Sequence, residues 1–451
     1  MIFRFARIIC LLALAAMPAV ARRPPSFVVI VADDIGFECV GAYGGEAALT
    51  PRLDRLAAAG LRFESCLATP MCAPSRAMLF TGKYNFRNYT RWAHLDPAEA
   101  TVAQLLRTGG YVTGMGGKWH LGNWEQDDAG RRGPARMGFD HYLSEITGES
   151  SPDRAAFDSP GNRFWNTRLV EDGRVRDLPP ERFSEDELAD HAIAFFRAHR
   201  DRPFFYHFAS NLAHRPMVAT ENPTPADRKE HGKARHFPAM VRKFDEIVGR
   251  LYDEIESLGL AEHTVFMVTS DNGTDNVWEA KSIRNRWRGR DVAGGKYYVN
   301  EIGTAVPLGV VAPGRVAPGR VTRAPVDFTD FLPTLLDLAG LPAPPGIDGI
   351  SFRALLETPE SSPRREIAFT WGAMDGRNYV FHNPVARRAD IIHAARDSRW
   401  RYLSDGRLYD IESDPLMGAA VAPGASAAAD AARTRLRAAL DTHLASQPRL
   451  W

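Results

Sequence analysis

Cysteine is scarce in this chain. Four residues in 451 are too few for a disulfide scaffold, and their spacing contains no C-x-x-C zinc pattern. Net charge is nearly absent as well. Lys and Arg number 56 against 55 Asp and Glu, a formal +1, so no global basic field exists to hold nucleic acid or an anionic membrane. Any anionic ligand must be met by local groups. Compositional bias is also missing: 45% hydrophobic and 25% charged residues are ordinary globular usage, which excludes disordered, collagenous and multi-span membrane classes. What remains is a soluble chain long enough for two or three average domains, or for one large α/β domain with an appendage.

The first residues place Arg4 and Arg7 before an apolar run from Ile8 to Ala16 and then small residues, Ala19-Val20-Ala21. This pattern predicts a signal peptide over 1–21, cleaved near Ala21, and a secreted or periplasmic protein. The run is well short of the roughly 20 residues of a spanning helix, so no membrane span is expected. The mature chain keeps Cys39, Cys66 and Cys72. Outside the cytosol Cys39 and Cys66 could pair, a point the spacing leaves open.

Phe27–Ala32 is a continuous apolar, β-branched run that ends in Asp33-Asp34, the pattern of a central parallel strand buried on both faces. Similar runs occur at Phe204–Phe208 and at Val265–Val268, the latter opening onto Ser270-Asp271-Asn272-Gly273. Helical spacing appears over Thr101–Thr108 and Met240–Leu258. Alternating strands and helices predict an α/β sandwich, whose ligands gather outside the carboxyl ends of the strands. From about residue 366 the pattern changes to short β-like segments (Glu366–Trp371, Asp390–Ala395, Trp400–Leu403) followed by an Ala-rich helix over Ala425–Leu444. A catalytic domain over 25–365 and a small C-terminal domain over 366–451 are expected.

Asp33, Asp34, Asp271 and Asn272 offer hard oxygen ligands at two strand ends, which suits Ca²⁺ or Mg²⁺ better than a soft metal. Taken singly, Asp-Asp after a strand also makes a helix cap, and Asp-Asn-Gly a tight turn. Cys72 alone would read as a small buried residue. Lys118, His120, His214 and Lys296 alone would read as surface charges. Gly116-Gly117 and Gly294-Gly295 directly precede the two lysines, however, and glycine permits close backbone approach around a compact site. Trp119 reads as core. His94, Trp92, Asn123 and Arg290 are loop candidates for a pocket lining.

The segment Cys72-Ala73-Pro74-Ser75-Arg76, followed by an apolar stretch and Thr81-Gly82, resembles the signature of the formylglycine-dependent sulfatases. Asp33-Asp34, Gly117-Lys118-Trp119-His120-Leu121-Gly122, His214-Arg215-Pro216, Asp271-Asn272-Gly273 and Gly294-Gly295-Lys296 stand in that family's order. The resemblance implies an alkaline-phosphatase-like α/β sandwich, with a large mixed β-sheet flanked by helices and a small C-terminal α+β domain with an antiparallel sheet. It implies that a formylglycine-generating enzyme oxidises the Cys72 thiol, and that Asp33, Asp34, Cys72, Asp271 and Asn272 surround a divalent cation, Ca²⁺ or possible Mg²⁺. It further implies that the hydrated aldehyde attacks the sulfur of a sulfate ester with Asp271 as base. In the same scheme His214 and Lys296 protonate the leaving oxygen, His120 assists sulfate release, and Arg76 and Lys118 hold the sulfate oxygens. The residues Ser75–Phe80 look helical, and a helix starting just after Cys72 would aim backbone N–H groups at an anion.

The expected substrate is a sulfated carbohydrate or another sulfate ester. Met217 and Ala305 depart from the common pattern; an arginine is usual at the latter position, which leaves substrate preference open. Two alternatives accompany this reading: a phosphonate monoester or phosphodiester hydrolase of the same fold, and a non-catalytic protein that binds sulfated glycans. An oxidisable Cys72 is of no use to the last.

Overall fold

The computed structural model describes residues 23–445 apart from 47, 126, 146–161, 222, 231, 288, 362–364, 375–378 and 386. The expected signal peptide lies outside the described residues. The strands, in chain order, are β1 (Ser26–Ala32), β2 (Leu61–Leu67), β3 (Val112–Lys118), β4 (His141–Glu145), β5 (Arg168–Glu171), β6 (Arg174–Asp177), β7 (Phe204–Ala209), β8 (Thr264–Ser270), β9 (Asn285–Trp287), β10 (Arg290–Val292), β11 (Ala305–Val311), β12 (Arg320–Thr322), β13 (Val326–Asp327), β14 (Ala368–Gly372), β15 (Ile392–Arg396), β16 (Trp400–Leu403) and β17 (Leu408–Asp410). A large mixed sheet has the order β12-β2-β11-β8-β1-β7-β3-β4-β5-β6, with β13 beside β2. β9 and β10 form a ribbon, and β14 to β17 form a separate antiparallel sheet.

β1 shows why the sheet is central. Phe27, Val29 and Val31 enter one apolar core, and Val28, Ile30 and Ala32 enter the other, because successive side chains of a strand point to opposite faces. Helices cover both faces. Cys72–Thr81, Val102–Thr108 and Phe331–Ala339 bury residues in the first core, and Pro51–Ala59, Ser184–His199 and His236–Ser257 in the second. Each fully buried aliphatic or aromatic side chain contributes roughly 1.5–3 kcal/mol by leaving water. The helix expected from Met240 begins one turn earlier, at His236. Thr101 is the cap of its helix, its hydroxyl accepting from the Gln104 N–H while the Gln104 side chain returns to the Thr101 N–H.

The small sheet packs on the closing helix Ala427–Ala445 through Ala395, Trp400, Tyr402 and Leu408 against Ala429, Ala432, Leu436 and Leu440. Two buried ionic clusters tie it to the rest. In the first, the Glu301 carboxylate accepts from Arg396 at 3.1 and 2.9 Å and from Arg401 at 2.5 Å. Arg401 also donates to the Val299 carbonyl and to Thr304 Oγ1. In the second, Arg365 donates to both oxygens of Asp330, at 2.8 and 2.5 Å, and to the Tyr84 hydroxyl at 2.8 Å. Tyr84 in turn donates to Asp327 at 2.5 Å. Cys39, Cys66 and Cys72 are all free and buried; no disulfide joins Cys39 to Cys66, and the Cys39 Sγ instead lies 3.4 Å from Thr274 Oγ1.

Candidate active site

β8, β1, β7 and β3 run parallel, and β2 shares their direction because both it and β8 are antiparallel to β11. Their carboxyl ends therefore meet along one edge. β1 delivers Asp33 and Asp34, and β8, in register with Ala32 opposite Ser270, delivers Asp271 and Asn272. β3 ends on Lys118 with His120 beyond it, and β7 leads through a turn to His214. β2 leads to Cys72. β11 is antiparallel, so the segment ahead of it, which carries Lys296, reaches the same edge. Gly117 is required here: it has φ +103°, and a Cβ would come 1.9 Å from the Ala209 carbonyl oxygen of β7. Gly295 plays the same part beside Lys296, where a Cβ would lie 2.1 Å from the Ile302 oxygen.

The helix begins at Cys72 itself, with extended Met71 as its cap, one residue ahead of the start expected just after Cys72. Cys72 is thereby held in the first turn, and its Sγ lies 3.5 Å from His120 Nδ1. Arg76, one turn on, donates to Asp271 Oδ2 through Nε at 3.0 Å and Nη2 at 2.7 Å, and to the Lys118 carbonyl at 2.9 Å. Lys118 Nζ lies 2.5 Å from Asp33 Oδ2, and Lys296 Nζ lies 2.6 Å from Asp34 Oδ2. The Asn272 amide donates to Asp34 Oδ1 at 2.7 Å. His214 Nε2 stands 3.8 Å from Asp34 Oδ2. Asp34, His120 and Tyr297, the last next to Lys296, all have positive φ (63°, 55° and 77°), and such strain in non-glycine residues collects at functional sites.

Electrostatics sort these groups. Burial pushes the Asp33 carboxyl up, but Lys118, Arg76, Lys296 and Arg163 outweigh it and hold Asp33 below the usual carboxylate range. Burial, opposed by Lys296 and reinforced by Asp33, Asp275 and Asp271, pushes Asp34 up to about 7. Asp271 is raised by burial and by Asp33 against the pull of Arg76. Burial also raises the Cys72 thiol. His120 and His214 are both held well below the ordinary imidazole value, by burial first and then by Lys118 and by Lys296 respectively, so both rings are neutral at pH 7. Lys296 stays protonated because Asp34 overrides its burial.

The oxygens left over suit a divalent cation. Ligand atoms of Asp33, Cys72 and Asp271 lie within 4.8 Å of one another, as do those of Asp33, Asp34 and His214. Asp33 Oδ1 and Asn272 Oδ1 are buried and accept no hydrogen bond from any described residue. Unpartnered buried oxygens are costly, and a hard cation satisfies them; the donor set fits Ca²⁺ or Mg²⁺.

Every site residue named from the sequence thus lies in one cluster, buried except at the partly exposed His214. The loop candidates divide. Trp92 meets His120 edge to face, with ring centres 4.9 Å apart, whereas Asn123 turns inward to the Leu95 and Leu121 carbonyls and Arg290 is exposed on the β9–β10 ribbon. Trp119 packs in the core against Phe80 and Phe139. Three participants escaped the sequence reading. Arg163 Nη1 lies 3.2 Å from His214 Nδ1 and 3.9 Å from Asp33 Oδ2. Glu145, at the end of β4 and paired in register with Lys118, is buried with Oε1 unpartnered. Asp275 is fully buried against Arg215. No glycine or apolar run marks Arg163; for Asp275 the proximity to Asp271 was the available signal.

Comparison with known proteins agrees with this arrangement. A family model described as Sulfatase matches residues 25–341, and one described as N-sulphoglucosamine sulphohydrolase, C-terminal, matches residues 295–439. Arylsulfatase A of Homo sapiens is 34% identical over 80% of this chain and 73% of its own length. N-acetylgalactosamine-6-sulfatase of Rattus norvegicus is 31% identical over 75% of this chain and 67% of its own. Among solved structures, PsFucS1 sulfatase from Pseudoalteromonas sp. superposes with a TM-score of 0.72 at 22% identity, covering 95% of this chain and 92% of that one.

Proposed function

The chain belongs to the sulfatase family and is a sulfuric ester hydrolase, and from that premise we propose that it cleaves sulfate monoesters of carbohydrates outside the cytosol, using a formylglycine made from Cys72 and one divalent cation. The observation that carries the reading is the position of Cys72, buried in the first turn of its helix, 3.5 Å from His120 and ringed by Asp33, Asp271, Lys118 and Lys296. A structural cysteine has no use for such surroundings. Converted to formylglycine, the residue supplies a hydrated aldehyde whose one hydroxyl is the nucleophile and whose other gives sulfate a way out. Asp33, Asp34, Asp271, Asn272 and the modified residue 72 would hold the cation, which would supply Lewis acidity for a sulfate oxygen.

The chain's own groups do the rest. Arg76 and Lys118 fix the sulfate oxygens and stabilise the charge that builds on them. Lys296 Nζ carries the proton destined for the leaving oxygen, since it is protonated while His214 beside it is neutral; His214 positions that oxygen and receives a proton afterwards. Neutral His120, 3.5 Å from residue 72, accepts the proton lost as sulfate departs. The carbohydrate preference draws support from N-acetylgalactosamine-6-sulfatase among the relatives, and export from the residues 1–21. We also take 25–365 as the catalytic domain and 366–451 as the C-terminal one, following the separate small sheet.

The test is direct. Protein co-produced with a formylglycine-generating enzyme should release sulfate from an aryl sulfate and from sulfated sugars much faster than it cleaves an aryl phosphodiester or phosphonate. Mass spectrometry of its Cys72 peptide should show the thiol sulfur replaced by a carbonyl oxygen. Full activity with an unmodified thiol overturns the mechanism, and a phosphonate preference overturns the substrate.

A further inference from the structure

Arg215 lies between His214 and Pro216, and nothing in the chemistry described so far uses it. Its guanidinium is gripped from one side. Nε donates to Asp275 Oδ2 at 2.9 Å, and Nη2 donates to Asp275 Oδ1 at 3.2 Å and to the Tyr297 hydroxyl at 3.2 Å. Asp275 is fully buried, yet the Arg215 side chain remains 49% exposed, and its Nη1 makes no hydrogen bond to any described residue. Tyr297 follows Lys296 directly, so Arg215 bridges the flank on which both leaving-oxygen groups sit.

We propose that Arg215 selects sulfate esters whose leaving portion carries a second oxyanion, a carboxylate or another sulfate. The proposal rests on the sulfatase reading above. Three considerations lead to it. First, a guanidinium already immobilised by a buried carboxylate loses little rotamer freedom when its remaining edge takes up a ligand, and a planar fork suits an oxyanion. Second, five cationic side chains (Arg76, Lys118, Arg163, Arg215 and Lys296) face five acids (Asp33, Asp34, Asp271, Asp275 and Glu145), so their formal charges balance before any ligand is added. A bound divalent cation would add two positive charges, and the single charge of a sulfate monoester would leave one of them unanswered. Third, the chain carries no overall positive field, so discrimination between singly and doubly charged esters has to come from a local group of this kind.

The competing explanation is that Arg215 only braces the His214 and Lys296 segments against each other. Converted wild type, Arg215→Lys and Arg215→Met are assayed on 4-nitrophenyl sulfate, on its 2-carboxy analogue and on 4-nitrocatechol disulfate. Arg215→Lys retains the charge against Asp275 but spends its one ammonium there. Both variants should lose at least tenfold more kcat/KM on the doubly charged esters than on 4-nitrophenyl sulfate, mainly through KM. A loss confined to the carboxylated or to the disulfated ester identifies the oxyanion read. Equal losses on all three, or losses in kcat alone, overturn the proposal in favour of bracing. Should Arg215→Met fail to fold, Arg215→Lys decides. Wild type that hydrolyses none of the three overturns the sulfatase reading, and this one with it.

Discussion

Two buried charged clusters in this molecule contrast in what they leave unspent. Around Arg365 every carboxylate oxygen is occupied: Asp330 Oδ1 by Ile350 N–H and Arg365, Asp330 Oδ2 by Asp327 N–H and Arg365, and Asp327 by Thr329 on one oxygen and Tyr84 on the other. At the sheet edge, Asp33 Oδ1 and Asn272 Oδ1 accept nothing from any described residue, although Arg76, Lys118 and Lys296 stand within reach of neighbouring oxygens. Burying a polar atom without a partner costs about 1–3 kcal/mol, so a cluster that tolerates it is built around something else. Complete pairing of its oxygens suits the Arg365 cluster to a strut, and the unpaired oxygens beside Cys72 suit the sheet edge to a site.

The contrast breaks if the clusters respond alike to mutation. Cys72→Ala should depress aryl sulfate turnover by on the order of 10⁴ or more while moving the urea unfolding free energy by no more than about 1–2 kcal/mol; a variant that unfolds as readily as it loses activity would make Cys72 a packing residue. Arg365→Met is the mirror case. It strands two buried carboxylates and should cost about 3–5 kcal/mol of stability, with the turnover of the remaining folded protein unchanged. Removing the cation with a chelator should abolish turnover reversibly, Ca²⁺ or Mg²⁺ restoring it, and should lower stability by about 2.7 kcal/mol relative to protein at a hundredfold excess of metal over Kd. Calorimetric scans insensitive to added metal would argue that the free oxygens bind nothing.

The smallest effect sharpens the contrast at an intermediate case. Glu185 accepts from Ser210 Oγ at 2.6 Å and from the Asn211 N–H and side-chain amide, both at 3.0 Å, and has no cation beside it. Burial, only partly opposed by these bonds, raises its carboxyl from 4.5 to about 7. A raised carboxyl favours the fold while protonated, so its contribution is full below about pH 4.5 and is lost as pH rises through about 7. Unfolding at pH 5 and pH 7.5 should show wild type losing on the order of 2 kcal/mol from this group, and Glu185→Gln should lack that loss. Parallel pH profiles would place Glu185 with the fully paired strut.

Much of the site was legible because its residues carry local marks. Asp33-Asp34 and Asp271-Asn272 follow β-branched runs that can only be buried strands, and Lys118 and Lys296 follow glycine pairs. The α/β sandwich and the small antiparallel sheet were readable from the same periodicities. Arg163 and Glu145 were not readable, because what brings them to the site is the pairing of β4 with β3 and the course of a polar segment, and neither leaves a trace in local composition. The helix start at Cys72 falls within one residue of the start expected just after it, and extended Met71, which makes no side-chain capping bond, precedes it. Ala305 adjoins the Glu301 cluster, whose partners Arg396 and Arg401 lie about a hundred positions downstream.

That distance gives the Glu301 cluster a place in the timing of synthesis. Glu301 is made 100 residues before Arg401, and until both arginines have emerged the segment carrying Lys296 holds a carboxyl without the two partners that pair it in the finished fold. That segment forms one wall over Cys72, with the Tyr297 N–H donating to the Pro70 carbonyl at 2.8 Å, and in the finished fold Cys72 is 1% exposed. On the proposed maturation, an enzyme converting the thiol would have to reach it before this wall closes, and the arrival of the far end of the chain would set that interval.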